Sequence, residues 1–123
     1  MVYNAITVTV IQGGMILRDN VNGGALTEVT FYILLSLYQP RHGYSIMQYI
    51  EENTKGRLLL GAGTLYGALN TLCEKGWISA HGESDGRKKE FLITSLGKEI
   101  AEKELCRLTE LTSFASEIIG GYQ

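Results

Sequence analysis

One short segment of the chain places hydrogen-bonding and small residues where a soluble helix normally carries charges. The segment, residues 61–78, reads GAGTLYGALNTLCEKGWI, and its leucines recur at helical spacing. The opposite face is small and neutral: Thr64, Tyr66, Gly67, Asn70 and Thr71. Exposed helix faces usually carry Glu, Lys and Arg, since long charged side chains are good helix formers. We therefore expect this face to press against something, either a nucleic acid or another part of the same chain.

The chemistry of this face suits a DNA groove. Hydroxyl and amide groups bond to phosphate oxygens or base edges, and Gly67 leaves room for close approach. Gly61 and Gly63 let the backbone come near a phosphate, which would also meet the free N–H groups of the helix start. We expect Thr64 to cap this helix and Gly76 to end it. Four residues are predicted to face the core: Leu65, Leu69, Leu72 and Cys73.

A basic cluster follows this helix. Two strand-like runs, WISAHGES and RKKEFLIT, are joined around Asp85–Gly86, a pair that favours a tight turn. Arg87, Lys88 and Lys89 place three cations at the turn. A charge cluster is often only a solvated loop, but one that directly follows the candidate DNA helix fits a wing that tracks the phosphate backbone.

Two further helices are predicted upstream. The first starts after Thr27, a candidate N-cap, and Pro40 stops it. The second, HGYSIMQYIEENTKG, has Gly56 as its C′ residue. Its core-facing residues are Ile46, Met47 and Ile50. RLLL, residues 57–60, is interpreted as a short strand. The resulting order of elements predicts a winged helix-turn-helix with an added C-terminal helix, a mainly α fold with a small β-hairpin.

From Ser95 the helical spacing returns and continues along the rest of the chain. Two apolar stripes on this helix span more surface than one neighbouring helix covers. This favours a partner helix from a second subunit over packing wholly within the chain, and a dimer would present two recognition helices to a two-fold DNA site. The predicted dimer interface comprises Ile100, Leu105, Leu108, Leu111, Phe114 and Ile118.

Composition limits the class of protein. The 123 residues suit one domain, and 45% hydrophobic with 20% charged residues is ordinary for a soluble protein. The net charge is −2, yet residues 99–123 hold two basic and five acidic side chains, which leaves nine basic and eight acidic ones upstream. No apolar run reaches the ~20 residues of a membrane span, and no export signal is visible. Two cysteines without framework or metal spacing fit a cytoplasmic protein.

These patterns divide the chain into three parts. They are an N-terminal extension of residues 1–25, a winged helix-turn-helix of residues 26–94 and a C-terminal dimerisation helix of residues 95–123. The extension contains AITVTVIQ, which alternates like a strand, and a lone strand is not stable. This segment therefore pairs with another element, or is loose, or precedes a natural start at Met15.

Catalysis finds no support in the sequence. His42 and His81 are far apart and lack the carboxylate spacing of a metal site or an acid–base pair. Cys73 and Cys106 are each interpreted as small apolar groups. We therefore expect no enzymatic activity, no metal and no cofactor.

Residues 26–104 resemble the PadR family of bacterial transcriptional regulators. The likeness is carried by HGY at 42–44, GTLY at 63–66 and RKKEFLIT followed by LGK, in this order and at these separations. Ala62 stands where the family usually has proline. The resemblance implies a homodimeric winged-helix repressor that dimerises mainly through its C-terminal helix. It also implies DNA contacts from Tyr44, Thr64, Tyr66, Gly67, Asn70, Arg87, Lys88 and Lys89.

Some relatives in that family bind small aromatic or drug-like effectors at the dimer interface. With one short C-terminal helix, the chain resembles the compact branch, and its single tryptophan, Trp77, lies at the hairpin and not on that helix. The sequence thus predicts a sequence-specific DNA-binding transcriptional regulator, a repressor released by a small-molecule effector. The alternative is a winged-helix module that binds protein, which explains the neutral helix face equally well but the basic wing less well.

Overall fold

The structure, a computed structural model, describes residues 24–82 and 89–121. Within these ranges helices and short strands follow in this order: α1 Glu28–Ser36, β1 Arg41–His42, α2 Gly43–Asn53, α3 Ala62–Glu74, β2 Ile78–His81, β3 Glu90–Ile93 and α4 Ser95–Gly121. The mainly α fold with a small β-hairpin is confirmed. The predicted N-terminal strand, the Asp85–Gly86 turn, Arg87 and Lys88 lie outside the described residues.

One hydrophobic core lies between the helices and the sheet. Its buried side chains come from α1, α2, α3 and the hairpin: Ile33, Leu34, Leu37, Ile46, Ile50, Leu65, Leu69, Leu72, Trp77, Ile78, Phe91 and Ile93. The predicted inward faces of α2 and α3 are therefore confirmed, with Met47 and Cys73 half-buried at the edge of the core. This packing fixes which face of α3 remains outward.

The predicted start of α1 is confirmed. Thr27 has an extended backbone, and its hydroxyl oxygen accepts a hydrogen bond from the Thr30 N–H at 3.2 Å, which satisfies one of the free donors of the first turn. The helix ends at Ser36, with Leu37 as its C-cap, so it stops shortly before Pro40.

The predicted start of α3 is wrong by three residues. Gly61, with an extended backbone, is the N-cap, and Thr64 lies inside the first turn. The sequence GAG, residues 61–63, allows this earlier start. The N–H groups of the first turn are exposed, so they need no capping side chain. The predicted end is confirmed. Gly76 has a φ of 78° and donates to the Cys73 carbonyl at 3.0 Å, which closes the helix in a left-handed turn.

Two details between α2 and α3 differ from expectation. The C′ residue of α2 is Lys55, with a φ of 52°, one position earlier than the predicted Gly56, which follows it with a φ of 80°. RLLL is a loop and not a strand. Leu58 and Leu60 pack on the core while Leu59 is exposed, so the alternation has the period of a strand without a strand partner.

The third strand of the sheet is β1, which the sequence did not indicate. The sheet is antiparallel in the order β1-β3-β2. Arg41 pairs with Phe91 and His42 pairs with Glu90. Two residues are too short to show a period, so no pattern predicted this strand. It attaches the base of the wing to the first residue of α2.

The junction between the hairpin and α4 is held by one threonine. The Thr94 hydroxyl donates to the Gly76 carbonyl at 2.6 Å and accepts from the Gly97 N–H at 3.0 Å. A Cβ atom on residue 97 would lie 2.7 Å from Cγ1 of Ile93 and 3.0 Å from the carbonyl carbon of Trp77. Gly97 is thus required for α4 to approach the hairpin this closely.

Only the first half of α4 packs on its own domain. Glu104 is 4% exposed, accepts from the Leu26 N–H at 3.4 Å and forms an ion pair with Arg107 at 2.6 Å. Its carboxylate is therefore paired despite its burial. From Arg107 to its end at Gly121, the helix is largely exposed to solvent. Throughout the described ranges, the helices are too short or too polar to cross a membrane.

Candidate nucleic-acid interface

The outward face of α3 is the surface that the sequence singled out. Thr64, Gly67 and Asn70 are exposed, and Tyr66 is 45% exposed. On the opposite side Leu65 and its core-facing neighbours are completely buried. The predicted orientation of the helix is confirmed, and within the described residues this face is not covered by another part of the chain.

Two glycines of this face have open space in place of a side chain. A Cβ atom built on Gly63 or on Gly67 would meet no atom within 4 Å. Glycine inside a helix costs about 0.5–1 kcal/mol relative to alanine. Among the described residues no packing requires glycine at either position, and the two glycines leave the outward surface of α3 without side-chain bulk.

The N-terminus of α3 is an uncapped donor site. The N-cap Gly61 has no side chain to bond the first-turn N–H groups, and the first turn contains no acidic residue. Such a terminus carries a partial positive charge and free donors, which favour an anionic oxygen.

Tyr66 connects α3 to the start of α2. A Cβ atom on residue 43 would lie 2.5 Å from Cζ of Tyr66 and nearer still to its hydroxyl oxygen. Only glycine at this position lets the Tyr66 ring lie against the first residue of α2. The neighbouring Tyr44 is 65% exposed. The structure thus places Tyr66 of α3 against the start of α2, next in sequence to Tyr44, the other tyrosine that the sequence assigned to DNA.

The base of the wing contacts the start of α2. The His42 imidazole Nδ1 lies 3.2 Å from the Lys89 carbonyl oxygen. Burial raises the pKa of the Cys73 thiol of α3, and the positive charge of the exposed Lys89 works in the opposite direction. Of the three predicted wing cations, Lys89 is therefore placed beside His42, the N-cap of α2. Arg87 and Lys88 lie outside the described residues.

The predicted dimer residues divide into two groups. Ile100 packs on its own core and Leu108 is half-buried, so these two contribute to the domain itself. The other four are exposed large apolar side chains: Leu105, Leu111, Phe114 and Ile118, with exposed fractions of 60%, 52%, 60% and 41%. An apolar face of this kind is uncommon on an unpartnered helix.

A half-open cavity of about 450 Å³ lies between α1 and α4. Its lining is mainly apolar and aromatic: Leu26, Glu28, Phe31, Tyr32, Leu35, Glu104, Arg107 and Leu108. At its edge the Glu28 carboxylate pairs with Arg57 at 2.5 Å, and this hydrogen-bonded cation lowers the pKa of Glu28. Cavities of this size and lining hold small ligands or a partner's side chains.

The described residues contain no cluster of three or more His, Cys, Asp or Glu side chains that would hold a metal ion. Sequence reasoning missed three contacts of the site: Gly43 with Tyr66, His42 with Lys89, and Glu104 with Leu26. Each contact joins residues far apart in the chain. The only sequence signal was the HGY motif, in which His42 and Gly43 are adjacent to Tyr44, a residue already assigned to DNA.

Comparison with known proteins identifies the family. Residues 32–103 match the model of the PadR-like family of transcriptional regulators. The chain belongs to this family. A 37.1 kDa protein in transposon TN4556 of Streptomyces fradiae is 38% identical over 73 residues, which are 59% of this chain and 20% of that protein. The chain thus spans about a fifth of the length of this relative.

Solved structures of transcriptional regulators share the fold. A transcriptional regulator from Clostridium thermocellum is 26% identical, with a TM-score of 0.59 over 77% of this chain and 91% of that one. Bacillus subtilis PadR, solved in complex with operator DNA, is 24% identical, with a TM-score of 0.56 over 64% of this chain and 47% of that one.

Proposed function

We propose that this PadR-family protein binds a duplex DNA operator in a sequence-specific manner, with α3 in the major groove and the wing on the phosphate backbone. The observation that carries the proposal is the outward face of α3. It is exposed, neutral and hydrogen-bonding, and Gly67 at its centre has open space around it. A major groove admits one α-helix, and a helix without side-chain bulk at its middle enters more deeply.

Three further features support DNA as the ligand. The uncapped start of α3, with Gly61 and Gly63, suits a phosphate oxygen. Tyr66 adds a hydroxyl group near the start of the same helix, Tyr44 adds an exposed one at the start of α2, and the wing adds Arg87, Lys88 and Lys89. Operator DNA is also the partner in the structure of the Bacillus subtilis relative.

The regulator would act as a homodimer in the cytoplasm. The exposed apolar side chains of α4 would find cover on the α4 helix of a second copy: Leu105, Leu111, Phe114 and Ile118. A two-fold dimer would place two α3 helices on two half-sites of the operator. Residues 95–123 would then be the dimerisation segment of the chain.

The cavity between α1 and α4 supports control by a small molecule. We propose that an aromatic or drug-like effector binds between α1 and α4, where Phe31 and Tyr32 offer rings and the volume is within the range of ligand sites. An effector there would change how α4 sits on the domain and so release a repressor from its operator.

Salt dependence of DNA binding tests the main proposal. If each subunit neutralises ~3–4 phosphates, log K should fall with log salt at a slope of roughly −5 to −7. Replacing Lys88 and Lys89 with Ala should weaken binding to all duplexes and flatten the slope. The matched control replaces Lys55 and Lys103, two exposed lysines outside the wing. A salt-independent affinity would contradict the proposal and favour a protein-binding winged-helix module.

Sedimentation tests the dimer. Phe114→Glu should shift the protein towards monomers, because the carboxylate would be desolvated without a partner. Ser113→Glu, on the opposite face of the same helix, is the control and should leave the dimer intact. A wild-type chain that sediments as a folded monomer at micromolar concentration would rule out this interface.

A further inference from the structure

The cavity between α1 and α4 lies where the described part of the chain begins. Leu26 forms part of its wall, and the Leu26 N–H donates to the Glu104 carboxylate at 3.4 Å. Gly24, two residues earlier, is exposed and has a φ of 79°, a left-handed conformation that turns the chain just before it enters this wall. The segment that precedes Gly24 is therefore joined to the domain at the rim of the cavity.

The lining of this cavity suits apolar side chains. Both of its carboxylates are already paired, Glu28 with Arg57 at 2.5 Å and Glu104 with Arg107 at 2.6 Å. An occupant therefore needs to supply apolar surface and no charge. The uncharged side chains of the lining are aliphatic or aromatic: Leu26, Phe31, Tyr32, Leu35 and Leu108.

The nearest apolar run upstream of the cavity is MIL, residues 15–17, which precedes the described part of the chain. It is separated from Gly24 by six residues, RDNVNG, most of which are turn-forming types. A connection of this length spans up to ~25 Å. The α1 wall from Glu28 to Leu35 is only about 10 Å long at 1.5 Å per residue. Residues 15–17 can thus reach every part of the cavity, and they belong to the chain even if its natural start is Met15.

We propose that residues 15–17 occupy the α1–α4 cavity of their own chain as an internal ligand, with their side chains against Leu35 and Leu108. A short tether gives an effective concentration of about 1 mM. A second copy or another protein at micromolar concentration therefore competes poorly for the same surface. A small-molecule effector would have to displace the internal ligand. This regulatory step rests on the proposed effector site, whereas the docking itself does not.

Methyl NMR of the full chain tests the docking. The Ile16 methyl groups should show nuclear Overhauser effects (NOEs) to the methyl groups of Leu35 and Leu108. Ile16→Asp should shift the Leu35 and Leu108 resonances, because a carboxylate does not enter an apolar cavity. The domain should stay folded, since this variant changes no residue of the core. Ile6→Asp, the same substitution farther upstream, is the matched control and should leave the resonances of the cavity unchanged.

Titration with anilinonaphthalene sulfonate (ANS), an aromatic probe of apolar surface, tests the competition. Ile16→Asp should bind ANS about tenfold more tightly than the wild type if the effective concentration of the tethered run is ten times its dissociation constant. Ile6→Asp should bind ANS as the wild type does. Leu35→Asp blocks the cavity from its α1 wall, so adding Ile16→Asp to that variant should leave ANS binding unchanged.

The outcomes separate the docking from the proposed effector site. If the Ile16 methyl groups showed no NOE to the cavity and Ile16→Asp behaved like Ile6→Asp, the docking would be overturned and the effector site would still stand. In a mixture of isotope-labelled and unlabelled chains, NOEs that arise only between chains would overturn docking within one chain. If the NOEs were present but ANS did not bind to Ile16→Asp, the docking would stand and the effector site would lose its support.

Discussion

The Tyr66 ring of α3 lies against Gly43, the first residue of α2, so closely that a Cβ atom there would stand 2.5 Å from the ring's Cζ. The atoms it would meet are the far end of a side chain, and the ring can move away. Gly43→Ala should therefore cost little stability, but it should displace Tyr66 and weaken DNA binding.

A double-mutant cycle checks this coupling. Gly43→Ala should weaken duplex binding in the wild-type background and have a much smaller effect in Tyr66→Ala, because no ring remains to be displaced. Thermal unfolding of each variant shows whether the fold is intact. Equal effects of Gly43→Ala in the two backgrounds would mean that the contact has no role in DNA binding.

Gly67→Ala should change stability and DNA affinity in opposite directions. Alanine should raise the free energy of unfolding by about 0.5–1 kcal/mol, since the added methyl meets open space within a helix. The same methyl should weaken duplex binding if α3 enters the groove. Gly120→Ala in α4 is the matched control, with open space around it and no expected effect on DNA. Unchanged affinity of Gly67→Ala would place the groove contact elsewhere.

Asn70 and Tyr66 should differ in what they contribute to binding. Asn70, exposed about two turns into α3, has an amide that pairs with adenine, so Asn70→Ala should lower mainly specific affinity, by about 1–3 kcal/mol. Tyr66→Phe should lower affinity for all duplexes by roughly 0.5–1.5 kcal/mol, the value of one hydrogen bond to a phosphate. Titrations against an operator and a scrambled duplex decide between these roles; equal losses for Asn70→Ala would remove its role in base reading.

Gly97→Ala should destabilise the fold itself. Its Cβ would meet the Trp77 backbone at 3.0 Å or less, and backbone atoms cannot swing aside as a tyrosine ring does. We expect a loss of about 1–3 kcal/mol in the free energy of unfolding, as for other overpacked sites. Chemical denaturation measures it, with Gly120→Ala as the control. A variant as stable as the wild type would show that α4 moves away from the hairpin at little cost.

The sequence predicted those parts of the fold in which apolar residues recur at a regular helical spacing. The leucines of α3 recur at helical spacing, and both the buried face and the outward face follow from them. The residues from Thr27 onward likewise predicted α1 and its cap. For RLLL the prediction of a strand was wrong, because a short apolar run indicates burial and does not indicate a strand partner.

The missed features depend on contacts between distant residues. β1 exists because Arg41 and His42 pair with β3, and two residues carry no pattern of their own. Glu104 reads as a solvated charge on a helix but is buried, since Arg107 and the Leu26 N–H satisfy it. Thr64 is a suitable N-cap by residue type, but α3 begins at Ala62. Its first turn is exposed to solvent and therefore needs no capping side chain.

Thr94 fixes the start of α4 beside the end of α3. One hydroxyl bonds both the carbonyl of Gly76, just past the end of α3, and the N–H of Gly97 in the first turn of α4. Because α4 packs on its own domain as far as Arg107, only residues 108–121 project from it, and at 1.5 Å per residue this end is about 21 Å long. In a dimer formed through this end, the separation of the two α3 helices would therefore be set by the packed first half of α4, which holds the projecting end at a fixed angle to its own domain.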